Sequence, residues 1–304
     1  MIWFFIALGA TLLWAVANIT DEFLVKKYSI GERGSGGLVL FTCLMGIFLA
    51  ILIGIFTKGT LQVSNVDKLL LMLTGGLTIG WVILYLYTLE IENVSSVVPW
   101  FLTIPVFGYI LGYLFLGETL TFHEQIGSLI VILGMIIVLL DFTGQRKKFK
   151  WKPAVYMLIA CFMVSASGII FKYVTIEGNF WISSFWEYIG LGLFGVFLYL
   201  FIPKYRREFH FMNKNGGRKI FMLNTLSETT TILGNLMTNY ALLLAPVTMV
   251  YLVGSFQPAI VLIFTITATK FLPHITKENM QKRVLIPKII AIFITIIGSI
   301  FLFI

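Results

Sequence analysis

The chain repeats one of its own segments inside two membrane-length apolar runs. YLYTLEIENVSSVVPWFLTIP, ending at Pro105, returns as TNYALLLAPVTMVYLVGSFQP, ending at Pro258. In register, Tyr87 meets Tyr240, Val94 meets Val247, Val97 meets Val250 and Pro105 meets Pro258. Such a duplication predicts two related membrane halves, an arrangement typical of carriers.

The apolar content decides the solvent. With 59% apolar residues, 12% charged residues and a mean hydropathy of +0.95, a soluble domain of 304 residues would lack polar surface. The net charge of +8 comes from short Lys and Arg clusters between apolar runs, which suits anionic lipid headgroups and not nucleic acid. Cys43 and Cys161 each lie inside an apolar run and read as small buried hydrophobes. The N-terminus enters an apolar segment at Ile2 with no basic stretch and no small-residue cleavage site, so a retained span is expected.

Runs of about 20 apolar residues, enough to cross the hydrocarbon core, can be drawn at 2–20, 36–56, 68–88, 94–116, 123–141, 153–173, 181–203, 218–242, 246–268 and 284–304. The expected fold is an all-α membrane protein of ten transmembrane helices. Residues 1–145 and 146–304 form its two five-helix repeats, separated by the polar stretch DFTGQRKKFKWKP at 141–153. A second polar connection is expected at 203–219. Five is odd, so the second repeat enters from the opposite side and the repeats are inverted. Of the 22 Lys and Arg, only Lys58, Lys68 and Lys172 fall outside the odd-numbered connections, which places those connections in the cytoplasm and both termini outside.

In its fourth span the chain resembles the ten-helix EamA-type carriers of the drug/metabolite transporter superfamily. The resemblance lies in Pro105 followed by LFLGETLT at 114–121, and it is degraded in the second copy, TATKFLPHIT, where Lys270 and Leu272 stand near the places of Gly and Glu. It implies a basket of helices around a central cavity, with alternating access by rocking of the halves. Bacterial members of that family usually carry both termini in the cytoplasm, the reverse of the orientation that the charge count favours.

Carboxylates inside spans are costly and therefore candidates for function. Glu228 lies ten residues beyond Arg218, about 15 Å deep at 1.5 Å per residue, near the middle of the core. It shares one helix face with Asn224, Thr231, Asn235 and Thr238, broadened by Ser227, Thr230 and Asn239. Such a stripe faces an aqueous cavity or other helices, where Ser, Thr and Asn form interhelical hydrogen bonds. Glu187, six residues after Trp181, is the second acid; if it approached Glu228 across antiparallel spans, the pair would suit proton-coupled exchange. Asn18 is a cavity candidate, Asp21 reads as part of a charged helix end with Lys26 and Lys27, and Glu118 reads as a turn-fixing residue.

Trp81, Tyr85, Trp186 and Tyr251 are aromatic binding candidates, able to form a cation box beside a carboxylate. Pro105 and Pro258 are hinge candidates. Span interiors carry no cation but Lys172, near a helix end, which disfavours phosphate substrates. No P-loop is present, and His123, His210 and His274 all sit in connections, so no metal or cofactor is expected.

The sequence thus favours a secondary transporter for a small organic solute (amine, amino acid, metabolite or lipophilic compound) with membrane lipids and the solute as partners. Oligomerisation is compatible with small-residue spacing such as Gly108 to Gly112. The alternatives are a flippase for a lipid-linked sugar or polyprenyl phosphate and a structural or partner-binding membrane protein. An enzyme is not expected, since no clustered acids, Ser/His pair or metal motif gather at one membrane face.

Overall fold

The computed structural model describes residues 2–28, 34–139, 151–175, 178–271 and 282–301, and every regular element among them is helical. In order these are α1 (Ile2–Tyr28), α2 (Gly36–Phe56), α3 (Asn65–Ile91), α4 (Val94–Val97), a 3-10 segment (Val98–Thr103), α5 (Ile104–Leu116), α6 (Phe122–Leu139), α7 (Trp151–Thr175) and α8 (Phe180–Phe201). Then come α9 (Pro203–Leu244), α10 (Val247–Val253), a second 3-10 segment (Gly254–Phe256), α11 (Gln257–Phe271) and α12 (Lys282–Phe301). The basic linker up to residue 150, and residues 272–281 with His274, lie outside the described residues.

All ten expected runs overlap helices, but seven helical stretches among the described residues are long and apolar enough to cross a membrane. Of the other three runs, α9 is diluted by its Asn, Ser, Thr and Glu residues, whereas those in α6 and α12 extend into residues outside the described set. Phe5, Phe48, Ile51, Phe56, Phe197 and Phe293 are exposed, more apolar surface than water would tolerate and what lipid requires.

Close helix contact sets the position of the site. On the α3–α8 crossing, a Cβ on Gly75 would lie 2.2 Å from the Glu187 carbonyl oxygen, and one on Gly190 would lie 2.2 Å from that of Met72. Only glycines permit this backbone approach, which draws the Glu187 turn of α8 into the protein.

The two duplicated segments have one construction. Each starts with a short helix at Val94 or Val247, passes through a 3-10 segment, and resumes with a proline at the second helical position, Pro105 in α5 and Pro258 in α11. Proline is tolerated there because the first-turn N–H groups have no intrahelical acceptor. The Val94 N–H donates to Glu22 Oε1 (2.9 Å), and the Val247 N–H donates to Glu118 Oε2 (2.7 Å). Each acid also takes a lysine, Lys26 on Glu22 and Lys172 on Glu118, both at 2.6 Å. Glu118 therefore fixes the start of a distant helix and not merely its own turn. That turn follows α5, where Gly117 adopts φ 64°, a left-handed helix end that suits glycine.

The connection expected at 203–219 is instead helical. Tyr205, Phe209 and Met212 recur on one face and pack into the core, while Glu208 accepts a hydrogen bond from the Gly36 N–H at the start of α2 (2.8 Å). The helical φ/ψ pattern breaks only at Gly217.

Candidate functional site

A central cavity of about 100 Å³ lies between α1, α3, α7, α9 and the two broken spans. Trp14, Trp81, Phe101 and Tyr251 give it aromatic walls, and Thr11, Asn18, Thr78, Ser167, Asn235, Thr238, Asn239 and Gln257 give it polar points. None of its lining residues is charged. The aromatic wall is held edge-on: Trp14 to Trp81 at 5.9 Å and Trp81 to Phe101 at 6.3 Å between ring centroids. The Trp14 indole N–H donates to Thr238 (3.4 Å), and the Tyr251 hydroxyl to the Val164 carbonyl (3.2 Å).

Glu187 stands one layer behind this cavity. It is 1% exposed and accepts Asn239 Nδ2 at 2.8 Å and Asn235 Nδ2 at 3.3 Å. The carboxylate thus occupies the donor ends of both amides and leaves their carbonyl oxygens as acceptors for another group. Asn235 Nδ2 also reaches the Tyr188 hydroxyl at 3.3 Å.

Glu228 lines a second, smaller chamber of about 20 Å³ with Asp21, Asn18, Trp14, Thr42, Trp81, Tyr85, Asn224 and Thr231. Thr42 donates to Glu228 Oε1 (2.5 Å), Ser227 to Asp21 Oδ1 (2.6 Å), and Tyr85 to Asn18 Oδ1 (2.9 Å). Trp14, Asn18 and Trp81 belong to both cavities and form the partition between them. Beyond Asn224 a third cavity of about 340 Å³ opens beside Met212, Gly217, Arg218 and Phe221.

Of the ten sequence candidates, eight line this series: Asn18, Trp81, Tyr85, Asn224, Glu228, Thr231, Asn235 and Tyr251. Glu187 touches it only through its amides. Trp186 does not join it: its indole N–H donates to the Thr60 carbonyl (2.7 Å) and Lys68 lies over its ring. Glu187 and Glu228 are held by different partners at different levels of α9, so the acid nearest Glu228 in its chamber is Asp21, on α1. The cation box does not assemble at solute size: the acids line only the chamber of one-water volume, and of the aromatic candidates Tyr85 lines that chamber, Tyr251 the central cavity, and Trp81 both. Thr11, Trp14, Thr42, Phe101 and Gln257 were missed; Thr11, Trp14 and Asn18, at intervals of three and four, carried a one-face signal.

Comparison with known proteins adds a family to this geometry. Residues 1–140 match the EamA-like transporter family. The matched EamA-like region covers α1–α6 and includes the LFLGETLT stretch. It agrees with the drug/metabolite transporter resemblance over residues 1–140, which also carry four of the seven membrane-length helical stretches. A solved structure described only as "Crystal structure of protein" aligns over 96% of this chain and 95% of its own, with a TM-score of 0.54 and 13% identity, a likeness of fold. No curated protein sequence matches the chain.

Proposed function

We propose that the protein is a secondary carrier of a small organic solute, working by alternating access between two inverted five-helix repeats of a ten-span fold. One observation carries this reading: a single uncharged cavity receives walls from α1 and α3 of the first half and from α7, α9 and the α10–α11 span of the second. A site shared between two rocking halves is what alternating access needs. Aromatic faces and amides without a fixed charge suit a small, planar, uncharged or zwitterionic solute better than a phosphate, which calls for Arg or Lys clamps. Orientation follows the charge distribution, with the Gly217–Arg218 break within α9 in the cytoplasm and both termini outside, in a prokaryotic cell membrane.

The test is a ligand-dependent thermal-shift screen on purified protein covering amines, amino acids, nucleobases, sugars and lipid headgroups, followed by tracer uptake into proteoliposomes. A small solute that stabilises wild type and loses its effect in Trp81→Ala supports the reading. Stabilisation by lipid headgroups alone would favour the flippase instead.

A further inference from the structure

We propose that the small chamber of Asp21 and Glu228 is a proton-binding site, separate from the solute cavity and joined to it through Asn18. The inference rests on the carrier reading for its purpose, and names the ion that would drive the carrier.

Two buried polar atoms in this chamber lack partners. Glu228, 6% exposed, has Oε2 unpaired, and Asn18, 3% exposed, has Nδ2 unpaired. Each such orphan is costly in a low-dielectric interior. The chamber of about 20 Å³ holds one water, which could bridge both atoms and serve as a proton carrier. Among the described residues, no Lys, Arg or His pairs with either acid.

The facing groups all lack positive charge. On α1 they are Asp21 and Glu22, the latter already neutralised by its pair with Lys26; on α2, Cys43; on α3, Tyr85; on α8, Tyr188 with Glu187 behind it. Their summed effect favours binding of a positive charge. A metal cation is a poor fit, because Tyr85 takes the Asn18 oxygen and leaves this lining residue only an unpaired N–H donor to offer. An organic cation is larger than the chamber. Asn224, one turn from Glu228, opens to the large cavity at Arg218 and supplies an entry from that end.

Asn18 gives the link to solute. An ionised Glu228 Oε2 demands a donor, and the Asn18 amide on the same wall answers it; protonation ends that demand and frees the amide for a solute in the central cavity. Proton and solute then bind together and not in competition.

The experiment is pH-difference infrared spectroscopy of the purified protein without solute, in Na⁺-free buffer from pH about 9 to about 5, following the C=O stretch of protonated carboxyl groups. A titrating band is expected in wild type and in Glu187→Gln, with that band lost or altered in Glu228→Gln or Asp21→Asn. Thr42→Val, which keeps the acid but removes its hydroxyl donor, and Asn18→Ala should each move the midpoint. A band that is unchanged in both Glu228→Gln and Asp21→Asn, or one abolished by Na⁺ in wild type, overturns the site. An unmoved midpoint in Asn18→Ala overturns the link. If Glu228→Gln does not fold, by circular dichroism, an unmoved Thr42→Val midpoint overturns the site. Because the titration needs no solute, its failure leaves the carrier reading standing, and an empty ligand screen leaves the proton site standing.

Discussion

Replacing Glu118 by alanine should loosen the protein, because one carboxylate joins three segments. Glu118 holds Lys172 Nζ at 2.6 Å and the Val247 N–H at 2.7 Å, while Lys172 has one further contact, the Ala245 carbonyl at 2.7 Å. Removing the carboxylate strands a lysine whose side chain is only 10% exposed, and breaking a buried pair in this way costs about 3–5 kcal/mol. Glu118 is itself 15% exposed, so some water relieves the loss and the low end, about 3 kcal/mol, applies. At about 2 °C per kcal/mol for a chain this long, the melting temperature should fall by about 6 °C. Circular dichroism melts in detergent would measure it. Adding Lys172→Met removes the stranded charge and should restore most of the loss, since an apolar pair replaces a buried ion pair at little cost. An unchanged melt in Glu118→Ala, or a double variant as unstable as the sum of the singles, would refute the reasoning.

Other outcomes follow from the packing and the site. Gly75→Ala puts a methyl against the α8 backbone and should cost about 1–3 kcal/mol, read as a lower melting temperature. Asn239→Ala leaves Glu187 Oε2 without its 2.8 Å donor, with an expected loss of about 1–3 kcal/mol; Asn235→Ala, whose bond is longer at 3.3 Å, should cost less in the same melts. Trp186→Ala should leave solute-dependent thermal shifts intact while Trp81→Ala diminishes them; equal losses would mean that the solute sits elsewhere.

The polar stripe of α9 was legible because helical spacing is a local property. Asn224, Glu228 and Thr231 face the small chamber, and Asn235 and Thr238 face the central one, all on the face that their intervals define. Trp186 and Glu187 were less legible: composition reports a ring or an acid in a span, whereas the direction it faces depends on which helix crosses α8 and where. That crossing is set by Gly75 and Gly190, two glycines far apart in sequence. Asp21 was read as a helix end because the apolar run stops near residue 20, yet α1 continues to Tyr28 and carries the acid inward. The segment 203–219 looked like a loop because its charge outweighs the sparse apolar face of Tyr205, Phe209 and Met212.

The duplicated spans also indicate where a rocking carrier can bend. Both helix starts are pinned by a carboxylate that also holds a lysine, Glu22 with Lys26 and Glu118 with Lys172, so neither Val94 nor Val247 is free to swing. The segments just beyond them have weaker 3-10 hydrogen bonding, and each ends at a proline-bearing first turn. These are also the stretches that meet the central cavity, through Phe101 and Ile104 on one span and Tyr251, Gly254 and Gln257 on the other. If the halves rock as proposed, bending at Pro105 and Pro258 would move the cavity wall directly while the pinned ends stay in place. Pro105→Ala should then slow solute exchange in proteoliposomes while leaving equilibrium affinity within about twofold, a difference of about 0.4 kcal/mol. A variant that lost affinity and kept its rate would put Pro105 in the binding wall and the hinge elsewhere.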